Sequence, residues 1–298
     1  MQGFVVVHGG VDMLPTESAV GALEHAAAQG LRASDALGSV VDALVSLEDD
    51  PQFNAGYGSV LNASGLVEVD AGIINGTTGR IGAVGAVPGL KHPSRVAAAL
   101  LRGVGSAVFL TGAGAREFAD EQGEECEDLR TAEQIAVWEA LRRGEVLSPF
   151  TGVALAANTE TVGAVAFRDG ELVAGTSTGG VCGKPIGRLG DSAIFGAGHW
   201  ANPEIAVLCS GDGEALMRCQ TAGRVGARIN EGHDVRESVI WGVRTVFFAT
   251  GATCAIVAVR ATRDDVAAAY NGFAFPVVRT DASGTRIIPA EHIVGEGV

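Results

Sequence analysis

The feature that most constrains this chain is a pair of short apolar runs in close succession, "TVGAVAF" at 161–167 and "ELVAGTS" at 171–177. Their length and β-branched content read as strands, and further strand-like runs follow at 192–196 and 204–210. Stretches with apolar residues at three and four spacing stand on both sides. Before the strands these are "ESAVGALEHAAAQG", "RASDALGSVVDALVSLED" with Ser34 as its candidate cap, "PSRVAAALLRG", "AGAREFADEQG" and "RTAEQIAVWEALRRG". After them come helices from 213 and from about 234 to 249. Runs of strands bracketed by runs of helices, without regular βαβ alternation, predict an α+β layered fold.

Other segments fit that reading. "GFVVVHGG" is a short buried strand ended by glycines, and "GLVEVDAGIING" and "RIGAVGAVPG" read as a hairpin across a Thr-Thr-Gly turn. "SAVFLTG" reads as a strand, and "GATCAIVAVR" and "DVAAAYNGFAFPVV" as antiparallel strands. From 144 to 160 the periodicity is lost, which marks a connector in which "GVALAA" is a candidate short strand. No internal repeat or low-complexity tract occurs.

At 298 residues with 47% hydrophobic side chains and a mean hydropathy of +0.26, the chain can bury the core of one large domain or two small ones. A formal charge of −14 repels nucleic-acid backbones and anionic membranes, and no basic stripe breaks that field, so neither is an expected partner. "MQGFVVVHGG" has no basic region before its apolar run, and no segment approaches the ~20 apolar residues of a membrane span. The expected location is the cytoplasm. Five cysteines, Cys126, Cys182, Cys209, Cys219 and Cys254, form no CxxC pair, which fits reduced thiols. Six histidines without HExxH or paired spacing argue against catalytic zinc, and no cofactor is expected for catalysis.

With 43 glycines, GxG triplets arise by chance, and neither "GAGAREF" nor "GVGSAV" completes a dinucleotide fingerprint. "CSGDGEAL" at 209 is more informative, because it puts small residues between a strand and a helix start. Backbone N–H groups gathered there bind anions and can stabilise an oxyanion.

Thr161 opens its strand. If the bond to Glu160 were cut, one residue would carry a nucleophilic hydroxyl and an α-amine, whose pKa of about 7.7–8.0 lets it accept the hydroxyl proton near neutrality. The stiff χ1 of Thr would pre-orient the oxygen. Downstream, Arg188 offers a fork for a carboxylate and Asp191 an acceptor for an ammonium, together the headgroup of an amino acid. Thr178 brings a second hydroxyl to the neighbouring strand. By residue type alone, a surface Arg188–Asp191 ion pair and an ordinary strand threonine outweigh this reading. The ordered set of motifs reverses that balance.

Those motifs, "VHGG", "LEDDPQFNAGYGS", "VEVDAGIING", "KHPSRVA", "TGAGAREFA", "TVGAVA", "TSTGG", "GRLGDS" and "SGDGE", resemble the plant-type asparaginase and isoaspartyl peptidase family of N-terminal nucleophile hydrolases over nearly the whole chain. The resemblance implies a four-layer αββα sandwich made as one precursor. Self-cleavage between Glu160 and Thr161 would give an α subunit, 1–160, and a β subunit, 161–298, together one structural domain. It implies attack by Thr161 on the side-chain amide of L-asparagine or of a β-aspartyl dipeptide, an acyl-enzyme, and release of L-aspartate. Thr178 would support the nucleophile, Arg188 would hold the α-carboxylate and Asp191 the α-amine. Ser210 and Gly211 would hold the oxyanion, with Asn54 near the site. The resemblance further implies a structural sodium ion on the backbone carbonyls of Leu47, Glu48, Asp50, Phe53, Ala55 and Tyr57, and a homodimer of αβ units. Lys184 also matches a family position, where it reads as a loop cation and a solvated role stays open.

Three departures qualify the match. Ser210 stands where Thr is usual, Asp212 replaces a frequent Thr so that "GDG" resembles the related aspartylglucosaminidases, and Glu160 stands where Gly or Asp is usual. Asp212 motivates a glycosylated asparagine as alternative substrate. Glu160 motivates an uncleaved, inactive homologue that acts as a binding protein.

Overall fold

The computed structural model describes residues 3–104, 106–124, 126–145, 161–263 and 265–293. Residues 146–160, which hold most of the expected connector with its "GVALAA" run and Glu160, lie outside the described residues.

Thirteen strands, numbered in chain order, form two sheets among the described residues. The larger contains β1 (Phe4–His8), β2 (Glu68–Asn75), β3 (Arg80–Pro88), β4 (Phe109–Thr111), β5 (Val162–Arg168), β6 (Glu171–Thr178), β11 (Val277–Asp281) and β12 (Gly284–Ile287). Its order is β12-β11-β1-β5-β6-β2-β3-β4. The smaller contains β7 (His199–Ala201), β8 (Ile205–Gly211), β9 (Cys254–Arg260), β10 (Asp265–Tyr270) and β13 (Ala290–His292), in the order β13-β10-β9-β8-β7.

Helices α1 (Glu17–Arg32), α2 (Ala36–Glu48) and α3 (Pro93–Arg102) cover the outer face of the larger sheet, and α4 (Gly112–Glu121) leans on β3. The fifth, α5, spans Ala132–Arg142. Helices α6 (Gly213–Cys219), α7 (Thr221–Asn230) and α8 (Val235–Thr250) stand against the smaller sheet. Strand periodicity explains the layering. On β5, Val162, Ala164 and Ala166 pack toward α1 and α2, whereas Val165 and Phe167 pack toward the smaller sheet. On β8, Val207 and Cys209 face α7 and α8, and Ala206 and Leu208 face the larger sheet. The result is the expected α+β sandwich of four layers, helix, sheet, sheet, helix.

Several local expectations change. The cap of α2 is Asp35, whose carboxylate accepts from the Gly38 N–H at 2.6 Å, because the helix starts one residue later than a Ser34 cap requires. Residues 192–196 are no strand: a 3₁₀ turn covers Asp191–Ala193, and the ladder resumes only at His199. The run "DVAAAYNGFAFPVV" divides. Its first part is β10, antiparallel to β9, and its last part crosses as β11 to the other sheet beside β1. "SAVFLTG" shortens to β4 at the sheet edge.

In the layer between the sheets, His8, Gly163, Thr176 and Gly72 lie in one row across β1, β5, β6 and β2. The imidazole of His8 occupies the space that Gly163 leaves: a Cβ there would come 2.3 Å from His8 Nε2 and 2.9 Å from Leu208 Cδ1. Gly163→Ala is therefore expected to overpack this layer and cost about 1–3 kcal/mol. Denaturant unfolding of purified protein measures that cost, and an unchanged midpoint would show that the ring relocates freely.

Candidate active site

Two antiparallel strands set the centre of the site. Val162 pairs with Ser177, so Thr161, just before β5, lies beside Thr178 at the end of β6. Strand parity points both into the layer between the sheets. Thr161 is 2% exposed. Its backbone N–H donates to Ser210 Oγ at 3.2 Å, and the Val11 N–H donates to the same oxygen at 3.0 Å. A serine hydroxyl has two acceptor sites and one proton, so both lone pairs of Ser210 are engaged and its O–H remains as a donor. Beside it, Gly211 has φ +139, and a Cβ there would lie 2.4 Å from Thr253 O, a conformation and a space that only glycine satisfies.

After β6 the chain turns through Gly179 and Gly180. The Thr178 hydroxyl accepts from the Gly180 N–H at 3.0 Å. Asn54 fastens the same turn, donating from Nδ2 to Gly180 O at 2.7 Å while its Oδ1 accepts from the Val60 N–H at 3.0 Å. Asn54 thus reaches the site through the backbone of Gly180.

The turn leads to Arg188 and Asp191. With Thr161, Thr178, Gly180, Gly211 and Gly213 they line one narrow cleft. Gly213 is the floor between the two charged groups: a Cβ there would stand 3.1 Å from Arg188 Nη2 and 3.1 Å from Asp191 Oδ1. Asp191 is 3% exposed, and its Oδ2 has no hydrogen-bond partner among the described residues. Burial pushes its carboxyl up to about 7, against the opposing pull of its own backbone N–H and of Arg188. A buried acceptor without a donor is a seat for a cation. Arg188 does not pair with Asp191: its Nε and Nη2 donate to the Glu214 carboxylate at 2.8 and 2.5 Å. Nη1 and the second N–H of Nη2 remain for a further anion. Larger grooves beside β10 and β13 (about 400 Å³) and beside α4 (about 390 Å³) show no such convergence of groups.

The asparaginase family matches residues 1–273 of this chain. A plant-type L-asparaginase of Pyrococcus horikoshii is 38% identical over 238 residues, 73% of this chain and 76% of that protein. Isoaspartyl peptidase/L-asparaginases of Mus musculus and Homo sapiens are each 36% identical, over 78% and 80% of this chain and 74% and 80% of their own length. This chain belongs to the plant-type asparaginase and isoaspartyl peptidase family.

Around the residues this asparaginase-family chain was expected to use, the structure places others that the sequence reading missed. Ser192 Oγ lies 2.9 Å from Thr161 Oγ1, within a segment expected to be a strand. Asp70 is fully buried on β2 and accepts from the Ala86 N–H at 2.7 Å and the Gly190 N–H at 3.3 Å, so it holds the backbone between Arg188 and Asp191. Its carboxyl is raised by burial, with Lys184 opposing. Lys184 is buried at 2% exposure and donates to Glu68 O at 2.9 Å, which closes the question of a solvated role. The signal for Asp70 was present: a carboxylate inside the apolar run "VEVDAGII" demands a partner. Glu214 gave no such signal. Among the described residues no three His, Cys, Asp or Glu side chains converge as metal ligands, and no helix is long and apolar enough to cross a membrane.

Proposed function

We propose that this chain is a self-processing amidohydrolase that cleaves the side-chain amide of L-asparagine and of β-aspartyl dipeptides. The observation that carries the reading is the single cleft in which the Thr161 hydroxyl meets a cation seat at Asp191 and an anion fork at Arg188. These two charges match the ammonium and carboxylate of one amino-acid headgroup and leave its side chain to face the nucleophile.

In the precursor, Thr161 Oγ1 attacks the carbonyl carbon of Glu160. The acyl group moves from nitrogen to oxygen, and water hydrolyses the ester, leaving 1–160 and 161–298 as two chains of one domain. In the mature enzyme, Thr161 Oγ1 adds to the substrate's amide carbon while its proton passes to the Thr161 amine. The Ser210 O–H and the Gly211 backbone face the developing oxyanion. Collapse expels ammonia, or the amino group of the leaving residue, carrying that proton. Water then attacks the β-aspartyl ester and L-aspartate departs. Thr178 and Asn54 hold the turn that walls this chemistry. The reading includes a homodimer of αβ units working in the cytoplasm.

Intact mass tests the reading first. The 30.3 kDa chain is expected to give two species, the smaller beginning at Thr161, and Thr161→Ala should remain one chain and lose turnover by about 10³-fold or more. A variant that keeps either activity, or a wild type that stays single and inert, would overturn it in favour of the binding-protein reading.

The Asp191 carboxyl gives a pH signature. Its folded pKa near 7 exceeds the ordinary 3.8, so burial costs stability as pH rises from about 4 to 7 and the cost is constant above that. A ligand ammonium pairs with the ionised form. The inhibition constant of L-aspartate is therefore expected to weaken about tenfold per unit below pH 7 and to level off above it. A flat profile from pH 5 to 8 would remove Asp191 from that role.

We also propose that the loop after α2 holds a structural sodium ion. The carbonyls of Asp50, Phe53 and Ala55 each accept one backbone N–H, which leaves each a second lone pair. Gly56, at φ +53, could not carry a Cβ, which would lie 2.4 Å from Glu48 O, and one at Gly58 would lie 2.0 Å from Phe53 O. Oxygens so crowded on bare glycines fit a hard cation. Replacing sodium by choline at constant ionic strength is expected to lower Tm by about 5 °C if sodium was near a hundred times its Kd. An unchanged Tm would reject the site.

A further inference from the structure

The hydroxyl of Ser192 stands within hydrogen-bond reach of the nucleophile, and Ser192 is next in sequence to the carboxylate assigned to the substrate's ammonium. Its side chain is fully buried, and its Oγ is 2.9 Å from Thr161 Oγ1. A short 3₁₀ turn, Asp191–Ala193, carries both residues, so a displacement of one moves the other.

That turn is held from below. Ser192 O accepts from Thr176 Oγ1 at 2.8 Å, and Thr176 Oγ1 lies 3.0 Å from His199 Nδ1. A carbonyl cannot donate, so the one proton of Thr176 is spent on Ser192 O, and His199 must donate from Nδ1 to the threonine oxygen. The tautomer of His199 is thereby fixed. Its Nε2 is left without a partner among the described residues, and burial lowers the ring to a pKa of about 3, so it stays neutral through the working range. Gly72 makes room for this ring: a Cβ there would lie 2.3 Å from His199 Cε1 and 2.9 Å from Ser192 O.

We infer that Ser192 is a positioning residue for the nucleophile, and that the Thr176–His199 pair fixes the turn from which it acts. The inference rests on the function proposed above. Of the two hydroxyls, Ser192 is the donor: its O–H bonds to a lone pair of Thr161 Oγ1, which leaves the Thr161 proton directed at the Thr161 amine. When the C–O bond forms, that proton moves to the amine, the carbonyl electron pair moves to oxygen, and the Ser192 proton stays on Ser192. Asp191 grips the substrate from the same turn, so aim and grip are set by one rigid piece of backbone.

The test is steady-state hydrolysis of L-asparagine and a β-aspartyl dipeptide by the processed enzyme, with self-cleavage of the precursor followed by intact mass. Ser192→Ala is expected to lower kcat about 10- to 100-fold with KM within about twofold, and to slow self-cleavage in proportion. Ser192→Thr, which keeps the hydroxyl, should recover most of kcat. Asp191→Asn should act the other way, chiefly on KM. If Ser192→Ala does not fold, Thr176→Val carries the test, with an expected loss of about threefold to tenfold in kcat and an unchanged KM. An active wild type whose Ser192→Ala or Thr176→Val form keeps full kcat, or loses only KM, would overturn this inference alone. A wild type that hydrolyses neither substrate would overturn the proposed function and this inference with it.

Discussion

The antiparallel ladder of β5 on β6 is the constraint on which the rest of the site depends. It pairs seven residues, Val162 with Ser177 through Arg168 with Glu171, between β1 on one side and β2 on the other. A central strand held on both edges has no freedom to slip, because one residue of slippage would exchange its two faces. On β5 that exchange would turn Val162, Ala164 and Ala166 from the helix layer into the space between the sheets. The hydrophobic pattern therefore fixes the position of Thr161 independently of the polar contacts it makes to Ser210 and Ser192.

A second constraint follows from packing two sheets face to face. The layer between them is apolar over most of its area, from Phe4 and Val6 through Val165 to Val257, yet near Thr161 it carries His8, Thr176, His199, Ser192 and Ser210, all fully buried. Polar side chains there need partners or must give up charge. Both histidines lose their proton to burial and remain neutral at a pKa of about 3. Two glycines, Gly163 and Gly72, take up the volume of the two rings. Small residues under large polar ones let the sheets keep their spacing while a polar end of the layer opens toward the cleft.

Much of this was legible in the sequence, and the limits have physical causes. Periodicity located the hairpin of β2 and β3 and the helices α1, α3 and α8, because each buries one face against a sheet. It failed at 192–196, where "SAIFG" has strand composition but its first residues belong to a turn held by Thr176 and Asp70, which are distant in sequence. Likewise no local rule announces that the chain changes sheets between β10 and β11. The convergence of Thr161, Thr178, Arg188 and Asp191 on one cleft was readable through the order of motifs. The partner of Arg188 was not: Glu214 enters from the first turn of α6, 26 residues away, and pairing across such a gap leaves no periodic trace.

The charges near the cleft explain why so many ionisable groups are buried at once. Asp70, Asp191 and Lys184 would each be costly alone. Asp70 ties β2 to the Gly190 backbone, and Lys184 ties the glycine turn back to Glu68 on the same strand. One strand thus anchors both ends of the segment that carries Arg188 and Asp191 into the cleft. Glu214 completes the arrangement from outside, being far more exposed than Arg188 at 57% against 12%. A carboxylate in that position orients the guanidinium while solvent screens much of its charge. The fork therefore stays net attractive to an incoming anion even in a chain with a formal charge of −14. Replacing Glu214 by a buried carboxylate would keep the geometry and lose that screening, so the exposure of this residue is part of what makes the arrangement work.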